Sequence, residues 1–244
     1  MDNDTLARRF GELAAAHLAD GCVRAGLAVR CAPTGLVARC APTGLVALAS
    51  GMRLAGRVIP VRHVGSVDVF LEAFESCAPG DVLVVDNGGR LDESCVGDLV
   101  ALEAAAAGLG GIAVWGLHRD TVDILAIGLL LFSLGAIPTG PLSVGDRAPD
   151  ALDAATVGEW TVGRGDLVFG DEDGVLFVAA AEAEQVFALA ESIRDTERLQ
   201  AERIRSGVSL RSQVRFDDFL ASRERTPGLS FRDHLRTVGG EIEV

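Results

Sequence analysis

Between Gly80 and Asp123 the chain sets two apolar runs on either side of an alanine-rich segment, and that order leaves few folds open. GDVLVVDNGG (Gly80–Gly89) carries an apolar run, Val82 to Val85, that stops at an acid and a glycine-rich turn. VGDLVALEAAAAG (Val96–Gly108) follows, rich in residues that lose little on entering a helix, with Gly97 and Asp98 at its opening and Gly108 as its stop. GGIAVWGLHRDTVD (Gly110–Asp123) supplies the second apolar run, Ile112 to Trp115, which ends at Gly116. Short apolar runs bounded by turn residues read as buried strands, so the stretch predicts a strand-helix-strand unit.

In such a unit the helix start and the residues after the second strand reach the same edge of the sheet, where open α/β folds place ligands. That edge gathers Asp98 with Arg119 and Asp120. The first N–H groups of a helix have no intrahelical partner, so Gly97, Asp98, Leu99 and Val100 offer donors and a positive dipole end to a carboxylate. Arg119 adds a planar fork to the same anion. Asp120, with Asp98 acting through a bound water, suits a hard divalent cation that keeps most of its waters. Together these groups suit a 2-oxo acid and its enolate. The plainer reading is a helix cap at Asp98 and a surface ion pair between Arg119 and Asp120, and spacing alone leaves both open.

The combined pattern Asp98-x20-Arg119-Asp120-x2-Asp123, after GDVLVVD and before GRGDLVFGDEDGVLFV (Gly163–Val178), resembles the RraA-like family over roughly residues 5–210. That family includes class II, metal-dependent 4-hydroxy-4-methyl-2-oxoglutarate/4-carboxy-4-hydroxy-2-oxoadipate aldolases and a protein that inhibits ribonuclease E. The resemblance implies an α/β fold of the swivelling β/β/α type, with a small barrel-like mixed sheet flanked by helices and a long C-terminal helix. Residues 1–207 would form this domain, with 30–47 as a loop insertion and 208–244 as a C-terminal extension. The implied activity is cleavage of a 4-hydroxy-2-oxo acid to pyruvate through a metal-stabilised enolate, with oxaloacetate decarboxylation as a side activity. The competing class is a non-catalytic, protein-binding regulator of ribonuclease E type.

By the same resemblance Asp120 holds the metal, Mg²⁺ or Mn²⁺. Arg119 and the N–H groups of Gly97, Asp98, Leu99 and Val100 orient the substrate, and Arg119 stabilises the enolate. Asp98 and Glu197 hold the water that carries the proton. Glu197 would come from a neighbouring subunit of a trimeric ring or stacked hexamer, with Glu191 and Glu202 as the adjacent register choices. His118 and Trp115 depart from the common pattern, and His118 either touches substrate or is a packed histidine.

Composition limits the rest. At 244 residues and 49% apolar content the chain can bury one sizeable core. A net charge of −13, with no basic arm, argues against a nucleic-acid partner. A charged N-terminus without an apolar leader predicts a cytoplasmic protein. The most apolar segment, Ile124 to Ile137, is too short and too glycine-broken for a membrane span. A methyltransferase reading finds no support beyond the weak GDVLVVDNGG turn. Five cysteines (Cys22, Cys31, Cys40, Cys77, Cys95) form no Cys-x-x-Cys pair and read as reduced thiols, and a catalytic cysteine would have only His63 or His118 as partner.

Around the central unit, one amphipathic helix is expected near the N-terminus, capped by Asp4 or Thr5, with Leu6, Phe10, Leu13 and Leu18 on one face. RCAPTGLVA occurs twice, at Arg30–Ala38 and Arg39–Ala47, and its Pro and Gly predict an enlarged surface connection. Further expectations are a strand over 53–64 limited by Pro60, a helix over 66–77 capped by Ser66, a helix over 121–127 and a strand over 129–134. Three strands over 157–162, 166–170 and 174–178 follow, the last two joined by a hairpin turn ending in Asp173-Gly174. A helix over 181–206 carries Val186, Leu189, Ile193 and Leu199 or Ile204 as its apolar stripe, and two short helices lie near 216–222 and 230–235.

Overall fold

The computed structural model describes residues 1–32 and 44–238. They fall into two compact units, one made of Met1–Ala16 with Ala28–Glu184 and the other of His17–Leu27 with Gln185–Val244. The chain opens with helices α1 (Asn3–Gly11) and α2 (Ala15–Arg24). Strands β1 (Arg30–Cys31), β2 (Val46–Ala47) and β3 (Leu54–Arg62) lead to α3 (Asp68–Phe74), β4 (Val82–Asp86) and β5 (Ser94–Val96). Helix α4 (Asp98–Ala106), β6 (Gly111–Trp115), β7 (Leu117–His118), α5 (Thr121–Ile127) and β8 (Leu130–Ser133) complete the central unit. Two hairpins follow, β9 (Ala154–Val157) with β10 (Trp160–Gly163) and β11 (Asp166–Asp171) with β12 (Gly174–Ala179). Helices α6 (Ala183–Arg205), α7 (Leu210–Gln213), α8 (Phe216–Arg225) and α9 (Phe231–Val238) end the described chain.

The strand-helix-strand expectation holds. β4 and β6 are parallel neighbours in an eight-stranded sheet ordered β1-β12-β11-β3-β4-β6-β8-β2. Side chains alternate between its faces, as a pleat requires. Val58, Val82, Val84, Ala113, Phe132, Val168 and Phe177 share one apolar cluster. Ile59, Val61, Leu83, Val85, Ile112, Val114 and Leu131 belong to a second, with Val69 and Phe70 of α3, Ala101 and Ala104 of α4 and Ile124 of α5. The sheet curls, since a Cβ on Gly170 of β11 would lie 3.1 Å from the Phe132 ring of β8, four strands away. This is the mixed α/β fold with a barrel-like sheet that was expected.

Pro60 sits where its missing N–H does no harm. Antiparallel pairing of β3 with β11 ends at Arg57, and Pro60 aligns only with Val84 of the parallel neighbour. The β11–β12 turn pairs Asp171 with Gly174, as predicted, and Asp171 accepts from the Asp173 N–H.

Several local expectations are corrected. The N-terminal helix is two helices, broken near Leu13, and its N-cap is Asp2, whose carboxylate accepts from the Thr5 N–H at 2.8 Å. All four expected face residues, Leu6, Phe10, Leu13 and Leu18, are nevertheless buried. α3 starts after Val67, which gives no side-chain cap, so Ser66 is not the cap. The strand expected over 157–162 is a hairpin, because Gly158 takes φ +62° and turns the chain. On α6 the buried positions are Ala183, Val186, Phe187, Ala190 and Ile193, whereas Leu199 and Ile204 are exposed. Most of the tandem repeat, residues 33–43 with Cys40, lies outside the described residues.

The second unit has its own ties. A Cβ on Gly21 would stand 2.8 Å from the Val186 carbonyl oxygen, so this glycine lets α2 and α6 meet closely. Gln213 donates to the Gln200 carbonyl oxygen, and His234 bonds the Val214 carbonyl oxygen at 2.8 Å. Phe216, Phe219 and Phe231 pack ring on ring over the two short helices that the sequence predicts. No helix among the described residues is long and apolar enough to cross a membrane.

Candidate functional site

The edge predicted to gather the charged residues does so within the first unit. Gly97 is the N-cap of α4 and has no side chain with which to cap the helix. The first intrahelical bond runs from the Ala101 N–H to the Gly97 carbonyl oxygen, so the N–H groups of Asp98, Leu99 and Val100 lie before it. Asp98 is therefore a first-turn residue and not the cap of the plainer reading. Its own N–H approaches Asp120 Oδ2 at 3.4 Å, a long and weak contact.

Arg119 and Asp120 arrive at the end of β7, a two-residue strand paired with β5 in a small parallel sheet. The Arg119 N–H donates to the Val96 carbonyl oxygen at 2.9 Å, which fixes the pair beside the start of α4. Arg119 Nε stands 3.3 Å from Asp120 Oδ2, with the side chains 46% and 34% exposed. Asp120 takes φ +59° and ψ +38° at the N-cap of α5, one of two described non-glycine residues at positive φ. A side chain held in the left-handed region needs its surroundings to fix it, and such positions gather at functional sites.

A cavity of about 280 Å³ opens at the start of α4. Gly97, Asp98, Leu99, Val100 and Arg119 line it together with His63, Phe70 and Cys95. A second hollow, bordered by Arg119, Asp120, Thr121 and Pro138, meets the first at Arg119. Two glycines make room for the guanidinium. A Cβ on Gly97 would lie 3.2 Å from Arg119 Nε, and one on Gly140 would lie 2.9 Å from Nη1. Gly140 has no signature in sequence, because its role depends on a contact with a residue 21 positions away.

His118 is 3% exposed and both ring nitrogens are engaged, Nδ1 with Ser133 Oγ at 2.8 Å and Nε2 with Thr121 Oγ1 at 3.0 Å. Burial holds its pKa below the ordinary histidine value. It is the packed histidine of the two readings, and it braces the start of α5 beside Asp120. Trp115 accepts from the N–H groups of Asn87 and Gly89 through its carbonyl oxygen, which folds the turn after β4 around it. Cys95 is buried in the cavity wall, and burial pushes its thiol pKa far up. It is a neutral thiol and no nucleophile.

Glu197 lies on α6 in the second unit, where its carboxylate meets His17 Nε2 at 3.0 Å. Glu191 and Glu202 lie on the same helix.

Among the described residues no group of three or more His, Cys, Asp or Glu side chains is placed to enclose a metal. The donor set is the Asp120 carboxylate, about one third exposed, with the backbone of Asp98 next to it and Asp98 lining the cavity. That set fits a hard cation that keeps several waters, as Mg²⁺ does, and does not fit an all-protein cage.

The family model described as RraA-like, Aldolase/RraA, matches residues 15–177. A curated relative from Dechloromonas aromatica, provisionally named a 4-hydroxy-4-methyl-2-oxoglutarate aldolase, is 34% identical over 122 residues, covering 50% of this chain and 74% of its own. Among solved structures, a protein from Pseudomonas syringae pv. tomato superposes with a TM-score of 0.69 at 24% identity, over 85% of this chain and 95% of its own. RraAS2 of Streptomyces coelicolor, described as an unusual member of the RNase ES inhibitor RraA protein family, superposes with a TM-score of 0.66 at 24% identity, over 80% and 94%. At that identity the two structures share the fold alone.

Proposed function

The chain belongs to the RraA-like family, and on that premise we propose that it is a divalent-metal-dependent lyase that cleaves a 4-hydroxy-2-oxo acid to pyruvate and a second carbonyl compound. The observation that carries this reading is that the first turn of α4, whose N-cap glycine offers it no side-chain acceptor, lines the same cavity as Arg119. An oxo acid carboxylate fits there, accepting from the N–H groups of Leu99 and Val100 and from the Arg119 fork. A protein-binding regulator of ribonuclease E type gives that arrangement no task.

The chemistry follows from where charge develops. Breaking the C3–C4 bond leaves an enolate on the pyruvyl half, with negative charge on the C2 oxygen. Arg119 sits in the cavity where that charge forms and stabilises it more than it stabilises the neutral ketone. A Mg²⁺ or Mn²⁺ ion at Asp120 would supply Lewis-acid stabilisation of the same oxygen. Asp98 positions a water that delivers the proton to C3, and Glu197 assists from a neighbouring copy. Loss of CO₂ from oxaloacetate gives the same enolate, so decarboxylation accompanies cleavage.

Self-association belongs to this reading. α4 and α5 pack side by side and leave Leu99, Leu102, Val122 and Leu125 exposed, Leu99 and Val122 by 75% and 78%. An apolar face of this kind next to a cavity supports a subunit contact at the site. The test is pyruvate release from 4-hydroxy-4-methyl-2-oxoglutarate with Mg²⁺ or Mn²⁺ and with chelator. Metal-dependent release supports the reading, and no release with either metal in folded protein defeats it.

A further inference from the structure

His63 lines the same cavity as the start of α4 and Arg119, yet the roles assigned so far leave it without a task. It is 6% exposed and follows β3 at its C-terminal end. Its ring lies flat on Phe70, with centroids 5.1 Å apart and planes 6° from parallel. Nδ1 stands 2.8 Å from Asn87 Oδ1. Gly116 admits Asn87 at this depth, since a Cβ there would lie 2.9 Å from the Asn87 Cβ.

This is how a base is held. With Asn87 Oδ1 facing the ring at 2.8 Å, the arrangement suits the tautomer in which Nδ1 carries the proton and donates it to the amide oxygen, while the Gly65 amide approaches the same nitrogen at a weaker 3.4 Å. Nε2 then carries a lone pair and has no hydrogen-bond partner among the described residues. Burial lowers the ring's pKa, against the upward pull of the Asn87 bond and of the Glu93 and Asp68 charges. Asn87 is itself 4% exposed, and its Nδ2 finds no partner among the described residues. An unpaired buried donor costs about 1–3 kcal/mol, so the amide is kept at that cost while its oxygen orients the imidazole.

We propose that His63, oriented by Asn87, is the general base that takes the proton from the substrate's C4 hydroxyl. This rests on the lyase reading above. The O–H pair becomes the second bond of the new C4 carbonyl as the C3–C4 bond breaks, and the C3–C4 pair moves into the enolate. Water protonates C3, and the imidazolium returns its proton to the hydroxide left behind. Atoms and charge balance without a further reagent. Oxaloacetate decarboxylation has no hydroxyl proton to remove, so it separates this role from the rest of the site.

The experiment compares cleavage of 4-hydroxy-4-methyl-2-oxoglutarate with decarboxylation of oxaloacetate by the full chain, as wild type, His63→Ala and His63→Gln, with Mg²⁺. The ratio of cleavage kcat to decarboxylation kcat is expected to fall about 100-fold in both variants. Added imidazole is expected to raise cleavage by His63→Ala at least tenfold. Asn87→Ala, which removes the acceptor that orients Nδ1, is expected to lower the same ratio at least tenfold. An unchanged ratio in the His63 variants without imidazole rescue makes His63 structural and overturns the proposal. A wild-type ratio in a folded Asn87→Ala shows that Asn87 does not orient the base and overturns it too. A wild type inactive in both reactions fails the lyase reading, and the inference falls with it.

Discussion

Gly97 and Asp120 stand so close that a Cβ added to Gly97 would lie 2.6 Å from the Asp120 carboxylate oxygen. The backbone of Gly97 is extended, with φ −131°, so conformation alone admits alanine. What an added methyl displaces is the end of two side chains, Asp120 and Arg119. Gly97→Ala is therefore expected to lower kcat/KM for any substrate of this site at least tenfold. Its Tm is expected to stay within about 3 °C of wild type, about 1 kcal/mol for a chain of this size. Unchanged activity, or a collapse of Tm, would show that Gly97 is kept for another reason.

Arg119 reaches into a cavity with a planar group that can make two parallel hydrogen bonds, and lysine cannot reproduce them. Arg119→Lys is expected to cut kcat by about 100-fold or more, the scale for removing a preorganised donor from a developing anion. The chain should remain folded, because the side chain is 46% exposed. Wild-type kinetics from Arg119→Lys would sink the enolate-stabilising role.

The exposed apolar face of α4 and α5 predicts an oligomer. Analytical ultracentrifugation is expected to show a species larger than the monomer. Leu102→Glu with Val122→Glu, both at exposed positions, is expected to shift it toward monomer and lower activity together. A wild-type monomer with full activity would remove both the self-association and the part given to Glu197.

His63 predicts a pH dependence of stability. Burial lowers its folded pKa below the unfolded value of about 6.5. Above that value both states are neutral here and the residue adds no slope. As pH falls from there toward the folded pKa, the unfolded chain binds a proton that the folded chain does not, and stability is lost. Wild-type Tm is expected to fall more steeply between pH 7 and pH 5 than that of His63→Gln. Parallel curves would show that His63 charges equally in both states.

How much the sequence disclosed depended on how local each signal was. The β4-α4-β6 unit was legible because its strands are continuous apolar runs and Gly108, at φ +82°, ends the helix as glycine does. Asp98, Arg119 and Asp120 fell to one edge because strand direction in such a unit is fixed. The β5–β7 pair was not legible, since three residues against two carry no periodicity. The β9–β10 hairpin was read as one strand over 157–162, because a single glycine, Gly158, turns the chain inside a short run of strand-favouring residues. Asp120 in the left-handed region, Gly140 against Arg119, and Asn87 on His63 arise from contacts 20 or more residues apart or from tertiary constraint, and no local pattern announces them.

The most direct test of the central claim is oxaloacetate decarboxylation by the purified full chain and by Asp120→Ala, each with Mg²⁺, with Mn²⁺ and with chelator. An enolate-forming, metal-dependent site predicts turnover by wild type with metal, loss of at least 100-fold with chelator, and a similar loss in Asp120→Ala despite a native circular dichroism spectrum. Wild-type turnover that is indifferent to chelator and to Asp120→Ala, or no turnover at all from the folded oligomer, would contradict it.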